Sequence, residues 1–146
     1  MSGNTARRAA AFRKTREAHL TEVAEDYVEL IADLTAEFGE ARLTDIADNM
    51  AVTQATASKI VARLKREGLV ENRPYRSIFL TDDGRAMAKE ARRRHQIVQE
   101  FLRALGVDEA TADADSEGME HHVSEATLTA LAALTSDLVR RTKAGQ

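Results

Sequence analysis

Apolar residues recur at helical spacing along most of this chain. Between residues 15 and 38 they fall three or four positions apart, and acidic residues occupy the opposite face, which predicts an amphipathic helix. Gly39 follows the last periodic residue and predicts the end of this helix. The apolar positions of the stripe are Val23, Tyr27, Leu30, Ile31, Leu34 and Phe38.

The next segment predicts two short helices joined by a tight turn. Residues 43–48 form the first helix and residues 51–53 the turn, and the second helix runs from Gln54 to Glu67 with Thr53 as its N-cap. This arrangement is typical of a helix-turn-helix, whose second helix enters the major groove of DNA, and an ordinary helical hairpin is the alternative. The polar and basic residues of the second helix that we expect to face DNA are Gln54, Thr56, Ser58, Lys59 and Arg63.

Two short runs of β-forming residues follow Gly68 and flank a turn that contains Pro74, the only proline of the chain. They predict a β-hairpin, and a helix-turn-helix followed by a hairpin is a winged-helix DNA-binding domain. Arginines at the tip of such a wing suit contact with phosphates or with the minor groove. The tip residues that we expect to contact DNA are Arg73, Tyr75 and Arg76.

The remaining sequence predicts three helices. We expect Thr81 to cap a long helix that reaches about Leu105, Asp108 or Thr111 to start the next helix, and Ser124 to cap the last one. Three helices in about sixty residues bury little surface by themselves, so this part is expected to pair with a second copy of the chain.

The predicted fold class is therefore mostly α with a small β wing. A basic N-terminal arm covers residues 1–14, and a winged helix-turn-helix DNA-binding domain covers residues 15–81. An all-α domain for metal binding and dimerisation covers residues 82–140.

Charge is distributed unevenly although the net charge is only −3. Residues 1–16 hold five basic residues and no acid, and residues 59–76 hold six basic residues against two acids. A mildly acidic chain with such patches can bind a polyanion, because the local field matters more than the sum. The chain has no cysteine, which excludes disulfides and thiolate metal sites. No apolar run predicts a signal peptide or a membrane span, so a cytoplasmic location without a membrane partner is expected.

A cluster of acids and histidines lies near residue 120. In a helix, Glu117, Glu120 and His121 stand at positions i, i+3 and i+4, which places them on one face. Two carboxylates held this close repel each other, and a divalent cation would offset that repulsion. His95 lies within an apolar stripe, where a buried core histidine is the ordinary interpretation.

Two segments carry a resemblance to a known family. They follow the predicted wing and read RHQIVQEFLRALGV and DADSEGMEHHVSEATL. With the winged helix before them, they make the chain resemble the manganese transport regulators of the diphtheria toxin repressor superfamily, over roughly residues 20–135. The resemblance implies a dimeric repressor that binds palindromic operator DNA when loaded with metal and lowers the expression of manganese uptake genes.

The resemblance also implies a ligand set, with His122 outside it. Two Mn²⁺ ions per subunit are expected, because two divalent ions neutralise the four carboxylates of the set. Since the ligands come from both predicted domains, metal would hold the two recognition helices of a dimer about 34 Å apart, one turn of DNA. The six implied ligands are Asp26, Glu29, His95, Glu117, Glu120 and His121.

Three alternatives remain open on the sequence. An iron-responsive repressor of the same superfamily has Met and Cys in its metal cluster, where this chain has Asp26 and Glu117. A metal-independent winged-helix regulator would sense an organic ligand. A metallohydrolase would need a nucleophile or base apart from the ligands, and no such residue is evident, so no enzyme activity or organic substrate is expected. Gln99 stands where related proteins often have Glu, which puts an ancillary metal site in doubt.

Overall fold

The computed structural model describes residues 2–73 and 77–145. They form six α-helices, three short strands and one 3-10 turn. The helices are α1 (Gly3–Phe38), α2 (Leu43–Met50), α3 (Gln54–Arg66), α4 (Asp82–Ala104), α5 (Glu109–Met119) and α6 (Glu125–Ala144). The strands are β1 (Ala41–Arg42), β2 (Val70–Asn72) and β3 (Ser77–Leu80), and the 3-10 turn is Glu120–His122.

Two compact units make up the chain. One consists of Leu20–Glu90, and the other combines the chain before Leu20 with the chain after Glu90. The predicted fold class, mostly α with a small β wing, is confirmed. In the part of the chain described here, no helix combines the length and the apolar character that crossing a membrane requires.

The Leu20–Glu90 unit contains the helix-turn-helix and the wing. Its sheet has the order β1-β3-β2 with antiparallel pairing, in which Ala41 lies opposite Ile78 and Val70 opposite Leu80. The strand β1 was not predicted, because two residues are too few to show alternation. The helices and the sheet share one apolar core, whose fully buried members include Val28, Ile31, Ala41, Ile46, Ala57 and Leu64.

The turn between α2 and α3 has the expected capping chemistry. Ala51 adopts a left-handed conformation with φ of 56°, and its N–H bonds back to the end of α2. The hydroxyl of Thr53 accepts a hydrogen bond from the backbone N–H of Thr56, so the predicted N-cap of α3 is confirmed. A Cβ on Gly84 would clash with the carbonyl oxygen of Leu69, so only glycine permits this approach of α4 to the wing.

The second unit packs around a small core of its own. Val98 and Leu102 of α4, Ala112 of α5 and Leu128 of α6 form its buried centre. The side chains of Asp108 and Ser124 accept hydrogen bonds from the backbone N–H groups of Thr111 and Thr127, which caps α5 and α6.

The structure differs from the sequence prediction at three places. The first helix begins at Gly3, so most of the basic arm is helical. The end of the predicted second-last helix tightens into a 3-10 turn at Glu120–His122. Phe38, a member of the predicted apolar stripe, and Leu105, the predicted end of the long helix, are 65% and 55% exposed because they lie at helix ends beyond the cores.

Candidate metal centre and nucleic-acid interface

The metal-ligating side chains of the second unit come from three successive elements. His95 lies on α4, Glu117 lies near the end of α5, and Glu120 and His121 lie in the 3-10 turn. Because a 3-10 turn has three residues per turn, it places neighbouring side chains differently from a continuing α-helix. The turn ends at Val123, which is extended, and Ser124 then starts α6.

Arg94 fixes this turn from α4. Its Nε donates to the carbonyl oxygen of Glu120 at 3.1 Å, and its Nη2 donates to the carbonyl oxygen of Val123 at 2.6 Å. Carbonyls at the end of a helix lack intrahelical partners, so these bonds satisfy groups that would otherwise need water. Because His95 follows Arg94 on α4, these bonds also set the position of Glu120 relative to His95.

A buried carboxylate lies between two imidazoles. The Oε1 atom of Glu120 is 3.3 Å from Nδ1 of His95 and 3.7 Å from Nε2 of His121. Glu117 adds a second carboxylate, whose Oε1 is 3.5 Å from the same Nδ1 of His95. Glu120 has no exposed surface and His121 only 5%. The structure therefore brings together four of the six residues of the predicted ligand set.

Asp113 joins this cluster, although the sequence did not single it out. Its Oδ1 lies 3.2 Å from Nε2 of His95 and 3.5 Å from Nε2 of Gln99. His95, Asp113 and Glu117 each offer one ligand atom, and these atoms lie within 4.8 Å of one another. The available signal was the spacing, because Asp113 stands four residues before Glu117 on the same face of α5.

The donor chemistry of the cluster fits a hard divalent cation. It offers carboxylate oxygens and imidazole nitrogens and, since the chain has no cysteine, no thiolate. Carboxylates suit Mn²⁺ and Mg²⁺, and imidazoles suit the later first-row metals, so a mixed set of this kind is suited to Mn²⁺ or Fe²⁺. A buried carboxylate is costly to keep charged without a positive partner, which a cation would supply.

The other two predicted ligands belong to the Leu20–Glu90 unit. Asp26 and Glu29 lie three residues apart on α1, hence on one side of the helix, and both are half-buried. Their part in a metal site stays a prediction.

On α3, the predicted DNA-contacting residues divide into two groups. Gln54, Ser58 and Lys59 are exposed, and within residues 2–73 and 77–145 Lys59 forms no ion pair. Thr56 is exposed too, but its hydroxyl bonds to Thr53 at 3.0 Å as part of the helix cap.

Arg63, by contrast, is held within the protein. Its Nε donates to Glu67 at 2.9 Å, and its Nη2 donates to the carbonyl oxygen of Leu20 at 3.1 Å. We therefore expect Arg63 to anchor α3 to α1, and its contact with DNA stays a prediction.

A groove of about 720 Å³ runs between α3 and the sheet. It brings the predicted residues Gln54, Ser58 and Arg73 to one surface, and the guanidinium of Arg73 lies 4.3 Å from the ring centroid of Phe79. Tyr75 and Arg76 lie outside the described residues. The polar groove residues that were not among the predicted DNA contacts are Arg42, Thr44, Lys65 and Asn72.

Arg42 enters this groove as part of a polar bridge. It donates from Nε to Glu40 at 2.7 Å, and the hydroxyl of Ser77 donates to the other oxygen of Glu40 at 2.7 Å. These hydrogen bonds, that of Ser77 first, lower the pKa of Glu40. The bridge ties the segment before β1 to the start of β3.

Both sites lie in regions that match a known protein family. Residues 19–78 match the family described as iron dependent repressor, N-terminal DNA binding domain, and residues 81–144 match iron dependent repressor, metal binding and dimerisation domain. The transcriptional regulator MntR of Escherichia coli O6:H1 is 52% identical over 124 residues, which cover 85% of this chain and 80% of the relative. This chain belongs to the MntR family.

More distant members agree with that assignment. The HTH-type transcriptional regulator MntR of Bacillus subtilis (strain 168) is 40% identical over 100 residues, which cover 68% of this chain and 70% of the relative. The solved structure of the manganese regulator SloR is similar with a TM-score of 0.68 and 26% identity over 77% of this chain. This chain spans about half of the SloR chain, 53%.

In this MntR family member, the two sites lie in different matched domains. The groove beside α3 lies in the region that matches the DNA-binding domain, and the cluster around Glu120 lies in the region that matches the metal-binding and dimerisation domain. Residues 1–18 lie outside both matched regions.

Proposed function

We propose that this protein is a manganese-responsive transcriptional repressor, a homodimer that binds palindromic operator DNA and lowers the expression of manganese uptake genes. The carrying observation is the buried carboxylate of Glu120 between His95 and His121, in a chain 52% identical to a regulator named MntR. The relatives are transcriptional regulators, so the protein is a regulator and not an enzyme. Because its target is operator DNA, we place it in the cytoplasm.

The proposed ligand set has six members and takes two Mn²⁺ ions per subunit. The geometry of His95, Glu117, Glu120 and His121 supports four of them, and the family resemblance supports Asp26 and Glu29. Two ions rather than one are proposed because the set holds four carboxylates. When bound, Mn²⁺ would supply positive charge that neutralises these carboxylates.

Asp113 orients the imidazole of His95 in this proposal. Its carboxylate lies 3.2 Å from Nε2, so with a metal ion on Nδ1 the Nε2 atom would carry the proton and donate it to Asp113. The lone pair then lies on Nδ1, the nitrogen that faces Glu117 and Glu120. A carboxylate that holds the second nitrogen of a metal-binding histidine fixes its tautomer and raises its basicity.

On the DNA side, we propose that α3 enters the major groove and that the wing contacts the backbone. Gln54 and Ser58 lie where an exposed helix face can reach base edges, and Lys59 can neutralise a phosphate. Arg73 lies at the edge of the groove with its guanidinium on Phe79, which suits contact with the sugar-phosphate backbone.

An iron-responsive repressor is the second candidate, because both matched domains are described as iron dependent. The donor set favours manganese. It contains only oxygen and nitrogen donors, whereas softer sulfur donors favour the later metals.

Operator binding with and without metal tests the proposal. DNA sites are first selected from a random pool with the Mn²⁺-loaded protein, and their affinity is then measured with Mn²⁺, with Fe²⁺ and in EDTA. We expect palindromic sites that bind at least tenfold more tightly with Mn²⁺ than in EDTA, and weaker activation by Fe²⁺. Equal binding in EDTA would mean that the protein is not a metal-dependent regulator.

Lys59→Ala provides a matched variant for this assay. It removes a phosphate contact on α3, so DNA binding should weaken both with and without Mn²⁺, while Mn²⁺ binding in the absence of DNA stays unchanged.

A further inference from the structure

The first fourteen helical residues of α1, residues 3–16, form a surface that the proposed function does not use. The segment is helical but almost entirely exposed, with only Ala9 partly covered. It precedes the region that matches the DNA-binding domain, which starts at residue 19. It contains five basic side chains and no acid, namely Arg7, Arg8, Arg13, Lys14 and Arg16.

These five cations are uncompensated. In the part of the chain that the structure describes, none of them forms an ion pair or a side-chain hydrogen bond. Some arginines elsewhere do form ion pairs, as Arg42 does with Glu40 and Arg73 with Glu71. Five unpaired cations within fourteen residues of α1 repel one another, and a polyanion would relieve that repulsion.

The length and composition of residues 3–16 suit a helical segment that binds DNA rather than one that packs against a protein core. Fourteen residues span about 21 Å, a length over which duplex DNA carries about a dozen phosphate charges. Five alanines among residues 3–18 maintain helix propensity without adding bulk.

The arrangement of these charges argues against a membrane. The basic residues occupy all sides of the helix, and Phe12 is the only large apolar residue between Gly3 and Arg16. A helix that lies on a membrane has a continuous apolar face, which is absent between these two residues.

We propose that residues 3–16 are a second DNA-contacting element, which binds the sugar-phosphate backbone without reading sequence. This inference rests on the proposed function as a DNA-binding regulator. It assigns to the segment a contribution to affinity and to salt dependence, not to the choice of operator.

The test measures how operator binding depends on salt. The variant Arg7→Gln/Lys14→Gln removes two charges seven residues apart on one side of α1, and Gln keeps the helix propensity. Each lost phosphate contact lowers the slope of log K against log salt by about 0.9, hence by about 3.6 for two contacts in each half of a dimer. The affinity deficit of the variant should therefore shrink about 150-fold between 50 and 200 mM salt.

Two controls make the result decisive. Arg140→Gln/Arg141→Gln removes two exposed charges from the end of α6 and should leave the slope unchanged. A version in which Arg7 is replaced by Lys keeps the charge and should keep the slope. Circular dichroism and Mn²⁺ binding check that each variant is folded.

The outcomes separate this inference from the proposed function. If the wild-type protein shows no Mn²⁺-dependent operator binding, the proposed function fails, and the same salt comparison on nonspecific DNA in EDTA still decides the role of residues 3–16. A slope equal to that of the wild type in both assays overturns the inference. Binding of the segment to anionic vesicles with no effect on DNA overturns it as well.

Discussion

Replacing Glu120 by Gln should separate the stability of the metal-free protein from its response to Mn²⁺. The side chain has no exposed surface, and its Oε1 lies 3.3 Å from His95 and 3.7 Å from His121. Gln keeps the shape of the side chain but removes the charge, so the metal-free protein loses a buried carboxylate, which is costly to bury. We therefore expect its melting temperature in EDTA to be equal to or above that of the wild type.

The response to Mn²⁺ should change in the opposite direction. A ligand at a hundred times its Kd stabilises a folded protein by about 2.7 kcal/mol. For a chain of this size that corresponds to a rise in melting temperature of roughly 5–11 °C. An amide is a weaker ligand than a carboxylate, so Glu120→Gln should reduce this rise to under about 2 °C at the same Mn²⁺ concentration.

Thermal unfolding followed by circular dichroism, in EDTA and with Mn²⁺, measures both effects. Asp115→Asn is the matched control, because Asp115 is an exposed carboxylate on α5 outside the cluster. The control should retain the full Mn²⁺-induced rise. If Mn²⁺ raises the melting temperature of Glu120→Gln as much as that of the wild type, the assignment of Glu120 as a ligand is refuted.

Three further predictions follow from other parts of the second unit. Asp113→Ala should weaken Mn²⁺ binding 10–100-fold in calorimetric titration through loss of its contact with His95, and an unchanged Kd would count against the orienting role. Leu128→Ala empties a fully buried position and should lower the free energy of unfolding by about 2–5 kcal/mol in urea, whereas a loss under about 1 kcal/mol would mean that the site collapses. Hydrogen bonds from Thr111 lower the pKa of Asp108 in the folded protein below its usual 3.8. The ionised Asp108 therefore stabilises the folded protein above pH 3.8, and this stabilisation is lost as the pH falls through the pKa that Asp108 has in the folded protein. In Asp108→Asn, the free energy of unfolding should therefore depend less on pH below pH 3.8 than in the wild type. The same dependence on pH in both proteins would contradict this.

The helices and caps could be predicted because their signals are local. Thr53, Asp108 and Ser124 cap their helices as the sequence indicates, since each N-cap depends on a backbone N–H three residues away. The start of α1 at Gly3 was missed because residues 3–14 lack the apolar stripe that identifies a packed helix.

The metal cluster could be predicted only in part. The spacing of Glu117, Glu120 and His121 is visible along the chain, but the role of His95 came from the family resemblance. Arg94 and Asp113 were missed because their contacts join α4 to α5 and to the 3-10 turn, across 18 residues or more of sequence. Such contacts depend on how helices pack, which periodicity does not specify.

X-ray diffraction from crystals of the Mn²⁺-loaded protein, recorded on both sides of the manganese absorption edge, tests the central claim most directly. We predict an anomalous peak within coordination distance of His95 Nδ1 and of the carboxylates of Glu117 and Glu120, lost in crystals of Glu120→Gln. Manganese bound only at other residues, with this cluster empty at saturating Mn²⁺, would contradict the account.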